Sequence, residues 1–177
     1  MRMKKYLLFL LFAFSVHFGQ TKEFPLKNED FSKLLMNDET AFAGTISTDE
    51  TVIRLRIEKA NKNPERQEQY FVSGYSDVEG NKSPFSGEII FTQKYNVKND
   101  PESMLVFGDF TLKELGSGEH SGVFTGKVRI QTQKDQTKEN GTTLTFKGKW
   151  KNYSGNLDFD VWWANFQPKD LSKVIFK

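Results

Sequence analysis

The chain has no cysteine among its 177 residues, five prolines and two histidines. Without cysteine it has no disulfide framework, no thiol nucleophile, no thiolate metal ligand and no site for lipid attachment to an N-terminal cysteine. His17 lies in an N-terminal apolar run, so His120 is the single imidazole of the remaining chain. A zinc site around it would need three carboxylates, an uncommon ligand set. No glycine loop of the kind that cradles phosphate is present, and no metal or cofactor is expected. The apolar run, residues 6–18, is well short of the roughly 20 residues that span a bilayer as a helix.

That run follows Arg2, Lys4 and Lys5 and precedes polar Gln20, Thr21 and Lys22. Basic, apolar and polar segments in this order read as a secretory signal peptide. Its cleavage is expected between residues 15 and 20, at Ala13-Phe14-Ser15 or after Gly19, leaving a secreted or periplasmic protein with no membrane span. The segment also carries the basic excess. The chain holds 25 Lys and Arg against 23 Asp and Glu; without those three basic residues the balance is 22 against 23, a net charge of −1. No electrostatic argument for nucleic acid or an anionic membrane survives. About 155 residues then suffice for one domain with a substantial core. The expected division is a signal over 1–19, an extension with a short helix over 20–39, and one β domain over 40–177.

Helical signals occur only in the extension. Asn28 is positioned to cap a first turn containing Glu29 and Asp30, with Phe31, Leu34 and Leu35 on one face. Everything later alternates at period two, predicting strands over 41–47, 51–59, 67–76, 84–95, 103–115 and 122–133. A final pair follows, in which Leu144, Phe146, Gly148 and Trp150 alternate with Thr145, Lys147, Lys149 and Lys151. After a turn near Asn152, Leu157, Phe159, Val161 and Trp163 alternate with Asn156, Asp158, Asp160 and Trp162. Antiparallel pairing would set Lys147 and Lys149 against Asp158 and Asp160 on the outer face, each pair worth a few tenths of a kcal/mol. Three Asn-x-Ser/Thr sequons, at Asn81, Asn140 and Asn152, are glycan acceptors only in a eukaryotic secretory route.

One phrase recurs: aromatic, any residue, glycine, any residue, apolar. It begins at Phe42, Phe85, Phe124, Phe146 and Tyr153. In a strand the aromatic, the glycine and the apolar residue share one face, and repeated strand glycines are a means of coiling a sheet until it closes. Eight successive strands with short links predict an all-β fold, an antiparallel up-and-down barrel. In strand number and rhythm the chain resembles the calycin group, the lipocalins and avidins, and that resemblance implies a barrel able to hold one small ligand. Lipocalins open their first strand with Gly-x-Trp; here Gly44-Thr45-Ile46 stands at that place, and Gly148-Lys149-Trp150 falls in strand seven. No ligand residue is carried over from either family. The segment from Phe146 also looks like one MORN hairpin unit, but the irregular spacing excludes an array.

Chemistry is sparse. His120 beside Ser121 offers a base next to a nucleophile, yet adjacent turn residues seldom orient toward each other as that mechanism requires. Asp158 and Asp160 face lysines and read as solvated. Asn99, Asp100 and Glu102 bunch without an EF-hand spacing. The expectation is therefore a non-enzymatic exported binding protein. In one form the barrel holds a small apolar or amphipathic molecule against Phe85, Phe110, Phe124, Phe146, Phe159 and Trp163, its mouth rimmed by 61–65, 96–102 and 134–141. In the other the interior is filled and the partner is a protein, met by surface aromatics: Trp162, out of phase with its strand's apolar face, and Tyr70, on a strand with aromatics on both faces.

Overall fold

In the computed structural model, the described residues are 29–47, 49–97, 100–133 and 141–166, without the side chains of 96, 97, 100–103, 132 and 133. Asn28, Asn99 and Asn140, and the residues of the expected signal peptide, lie outside them. The fold is a closed barrel of eight antiparallel strands in meander order: β1 Phe42–Ile46, β2 Thr51–Lys62, β3 Gln69–Val78, β4 Asn81–Val97, β5 Asp100–Glu114, β6 Gly122–Gln133, β7 Thr143–Asn152 and β8 Asp158–Ala164. Closure is made by β1, which pairs β2 on one edge and β8 on the other.

Helix α1, Ser32–Met36, precedes β1 and continues into a 3-10 turn at Asn37–Glu39. Its start is held by Asp30, whose Oδ1 accepts from the backbone N and Oγ of Ser32 at 2.9 and 2.6 Å. These bonds hold the Asp30 carboxyl below its ordinary pKa. Phe31 and Leu35 are buried. The Phe31 ring lies 5.1 Å from Phe91 and 6.4 Å from Tyr70, so α1 covers the end of the barrel where β2 and β4 finish. That end carries residues 61–65, the first of the segments expected to rim a mouth; 98–99 and 134–140, in the other two, lie outside the described residues.

The recurring glycines act as close-approach points between strands. A Cβ on Gly44 would lie 1.7 Å from the carbonyl oxygen of Trp162, and one on Gly148 would lie 2.0 Å from that of Thr125. Gly148 stands directly opposite Gly126, so β6 and β7 meet without a side chain between them at that point. The phrase at Tyr153 is different: it forms the β7–β8 turn, where Gly155 takes φ +76°. Four of the five copies are therefore strand phrases, and the fifth is turn chemistry.

The outer charge ladder on β7 and β8 forms one step away from the expected register. Lys149 stands opposite Asp160 and Lys151 opposite Asp158, while Lys147 faces Trp162. The Lys149 ammonium lies 3.1 Å from Asp158 and 3.6 Å from Asp160. Its hydrogen bond to Asp158, reinforced by the charges of both carboxylates, raises its pKa. Being exposed, it is a marker of register more than a source of stability.

Candidate functional site

The interior is built around Trp163. Inward positions of β1, β5, β6, β7 and β8 bring Phe42, Phe110, Phe124, Phe146 and Trp163 together. Phe146 stacks on Trp163 with centroids 5.4 Å apart, while Phe110 and Phe124 approach the indole at 5.3 and 5.6 Å, the latter edge to face. Phe85 is also buried, on β4, and Phe159 is half-buried, its ring stacked on Trp150 at 5.8 Å. A wall residue of a pocket large enough for water keeps exposed surface. Phe85, Phe110, Phe124, Phe146 and Trp163 keep 2% or less. One polar atom in this apolar cluster is unmatched: the indole Nε1 of Trp163 is buried without a hydrogen-bond partner.

The end of the barrel opposite α1 carries a buried polar network that periodicity alone did not single out. Glu114, the last residue of β5, is 5% exposed. Its Oε1 accepts from Ser76 Oγ at 2.6 Å, and its Oε2 accepts from the backbone N of Gly122 and from Trp150 Nε1, both at 2.9 Å. One carboxylate thus joins β3, β5, β6 and β7 through neutral donors. Tyr153 donates its hydroxyl to the Glu114 carbonyl at 2.6 Å. Asn152 is buried beside it, donating Nδ2 to the Glu119 carbonyl and to Asn156 Oδ1 and accepting from the backbone N of Leu157. Its engaged amide makes this sequon a fold element. The sequence did contain a signal for Glu114, because it falls on the inward phase of Phe110 and Leu112. Val78, Leu157 and Phe159, partly buried against the core, complete this end.

The two proposed surface aromatics are placed differently. Tyr70, expected at the surface, is 1% exposed. Its hydroxyl accepts from the backbone N of Phe31 at 3.1 Å and donates to the Glu29 carbonyl at 3.4 Å. Tyr70 therefore belongs to the covered phase of β3, because α1 supplies the cover; the exposed aromatic of that strand is Phe71. Trp162 points outward from β8, half-buried, between Thr45 of β1 and Lys147 of β7, with Phe166 edge-on at 6.3 Å.

His120 is exposed in the β5–β6 loop and, among the described residues, makes no hydrogen bond with Ser121. No group of three or more His, Cys, Asp or Glu among the described residues is arranged to hold a metal ion. No helix among them is long and apolar enough to cross a membrane. Fold and sites together define a closed meander barrel with an aromatic interior, one end covered by α1 and the other tied by a buried carboxylate. The chain matches no known protein family, no curated protein and no solved structure.

Proposed function

We propose that this is an exported, non-enzymatic binding protein whose barrel is filled by its own side chains and whose partner is a protein met on the outer surface. The observation that carries this reading is the sealing of the inward residues on β4 to β8, from Phe85 to Trp163. Large rings at native contact distances leave the interior behaving as a core. The outward Trp162, packed on one side by Phe166 and bordered by Lys147, is the anchor on this reading. An amphipathic ring beside a charge is a composition enriched in binding surfaces.

A second reading, in which the barrel holds a small apolar or amphipathic molecule, is favoured by the unmatched Trp163 N–H. A buried donor without an acceptor costs about 1–3 kcal/mol, which a ligand oxygen at that point would recover. Native mass spectrometry of protein recovered from the exporting cell separates the two. The mass of the chain alone, with a partner captured by the wild type and lost in Trp162→Ala, supports the first. A co-purifying small molecule overturns it.

A further inference from the structure

The β4–β5 ribbon runs on past its neighbour. Pairing between β3 and β4 ends at Gln69 opposite Ile90, and the last link is the Phe91 N–H to the Glu68 carbonyl at 2.9 Å. β4 continues to Val97, so residues 92–97 pair with β5 on one edge and, among the described residues, with no strand on the other. This is about 20 Å of strand edge. Such edges are usually blunted by charge, proline or a bulge. Here the β4–β5 register shifts at both ends of the edge, between Phe91 and Gln93 and again between Asn96 and Val97, leaving the run from Gln93 to Asn96 regular. The six residues Thr92 to Val97 contain no proline or glycine and one charge, Lys94.

Beyond Phe91 the outer face carries an exposed aromatic patch beside Gln93. Gln93 and Tyr95 stand opposite Phe107 and Leu105, and Tyr95 is 51% exposed with its ring 5.8 Å from Phe107. A free strand edge and an exposed aromatic patch thus coincide, on the side of the barrel across from Trp162, so the inference does not rest on the function proposed above.

We propose that this edge pairs antiparallel with the same edge of a second copy of the chain. The sequence of the edge favours that occupant and selects its register. A two-fold axis normal to the sheet keeps both outer faces on the same side, so only residues of the same face can stand opposite. A register centred on Lys94 opposes two lysines, which is destabilising. The register centred on Tyr95 sets Tyr95 against Tyr95, Lys94 against Asn96 and Gln93 against Val97, with the aromatic pair on the axis. The apolar surface of Tyr95, Leu105 and Phe107 then continues across the dimer.

Sedimentation velocity across a dilution series is expected to show a reversible monomer–dimer equilibrium, weakened about tenfold or more by Tyr95→Lys. Because the chain has no other thiol, Tyr95→Cys is expected to give a disulfide-linked dimer under mild oxidation, while the exposed control Phe71→Cys stays monomeric. Should the lysine variant fold poorly, the cysteine pair gives the answer alone. A monomer at every concentration overturns the proposal, as does a dimer insensitive to Tyr95→Lys that Tyr95→Cys fails to cross-link. Slow exchange, in a monomer, of those amides of 92–97 that point away from β5 overturns it too, since the chain itself would then cover the edge.

Discussion

Glu114 concentrates the polar energetics of the barrel on one side chain, because three donors from three other strands depend on it. Glu114→Ala would leave the Trp150 N–H and the Gly122 N–H without their acceptor and the Ser76 hydroxyl with only the Ser83 carbonyl, at 3.4 Å. At about 1–3 kcal/mol for a buried unsatisfied group, with some recovered by relaxation, the expected loss is about 3 kcal/mol. Glu114→Gln keeps one acceptor oxygen and is expected to cost about half as much. Urea denaturation of the two variants checks this, and equal losses would refute the assignment of separate roles to the two oxygens. Tyr70 makes the corresponding case for pH. Burial, with smaller contributions from the charges of Asp30 and Glu29, raises its pKa above the ordinary 10.0, while the Phe31 N–H opposes the shift. The folded state therefore retains a proton that the unfolded chain has lost. This contribution to stability is complete below pH 10 and declines as pH rises through the folded value. Tyr70→Phe is expected to flatten the alkaline decline while costing about 1 kcal/mol at neutral pH, a pattern that denaturation at both pH values will read.

At the scale of elements, the strand glycines decide how the barrel closes. Gly148→Val places a side chain where the Thr125 carbonyl and the Gly126 Cα stand 2.0 and 2.7 Å from the new Cβ. Since both obstacles are backbone, the strands must separate, and a loss of about 3 kcal/mol or more is expected. Gly155→Ala meets no neighbouring atom within 4 Å and suffers only from φ +76°, so about 1 kcal/mol is expected. Thermal unfolding distinguishes the two, and a milder effect at Gly148 would contradict the close approach. The strands were legible because alternation is local, and it fixed which residues of β7 and β8 share a face. Three features were not. The turn role of the phrase at Tyr153 depends on backbone sign, which the repeated letters do not encode. The one-step shift of the Lys149 ladder depends on turn geometry. The burial of Tyr70 depends on α1, whose docking partner lies about forty residues away and leaves no trace in periodicity. Glu114 lay between these cases: its phase was readable, its three donors were not.

At the scale of the whole molecule, the competing readings of function differ in whether the space inside the barrel is already taken. The space beside Gly44 and Gly148 is occupied by the backbone of the adjoining strand, and the rings of Phe110, Phe124 and Phe146 fill the region around Trp163. A packed interior of this kind predicts a specific response to subtraction. Phe146 touches Phe42, Phe110 and Trp163, so Phe146→Ala should cost about 3–5 kcal/mol, within the 5–15 kcal/mol stability of an ordinary domain. The apolar void it leaves should bind a small apolar probe such as benzene. The expected result is that benzene raises the unfolding temperature of Phe146→Ala and leaves that of the wild type unchanged, because only a protein with room for the probe in its native state is stabilised by it. Equal stabilisation of the wild type would mean that the native interior already has room. It would then be the small-molecule reading, with the Trp163 N–H as the polar contact, that describes the protein.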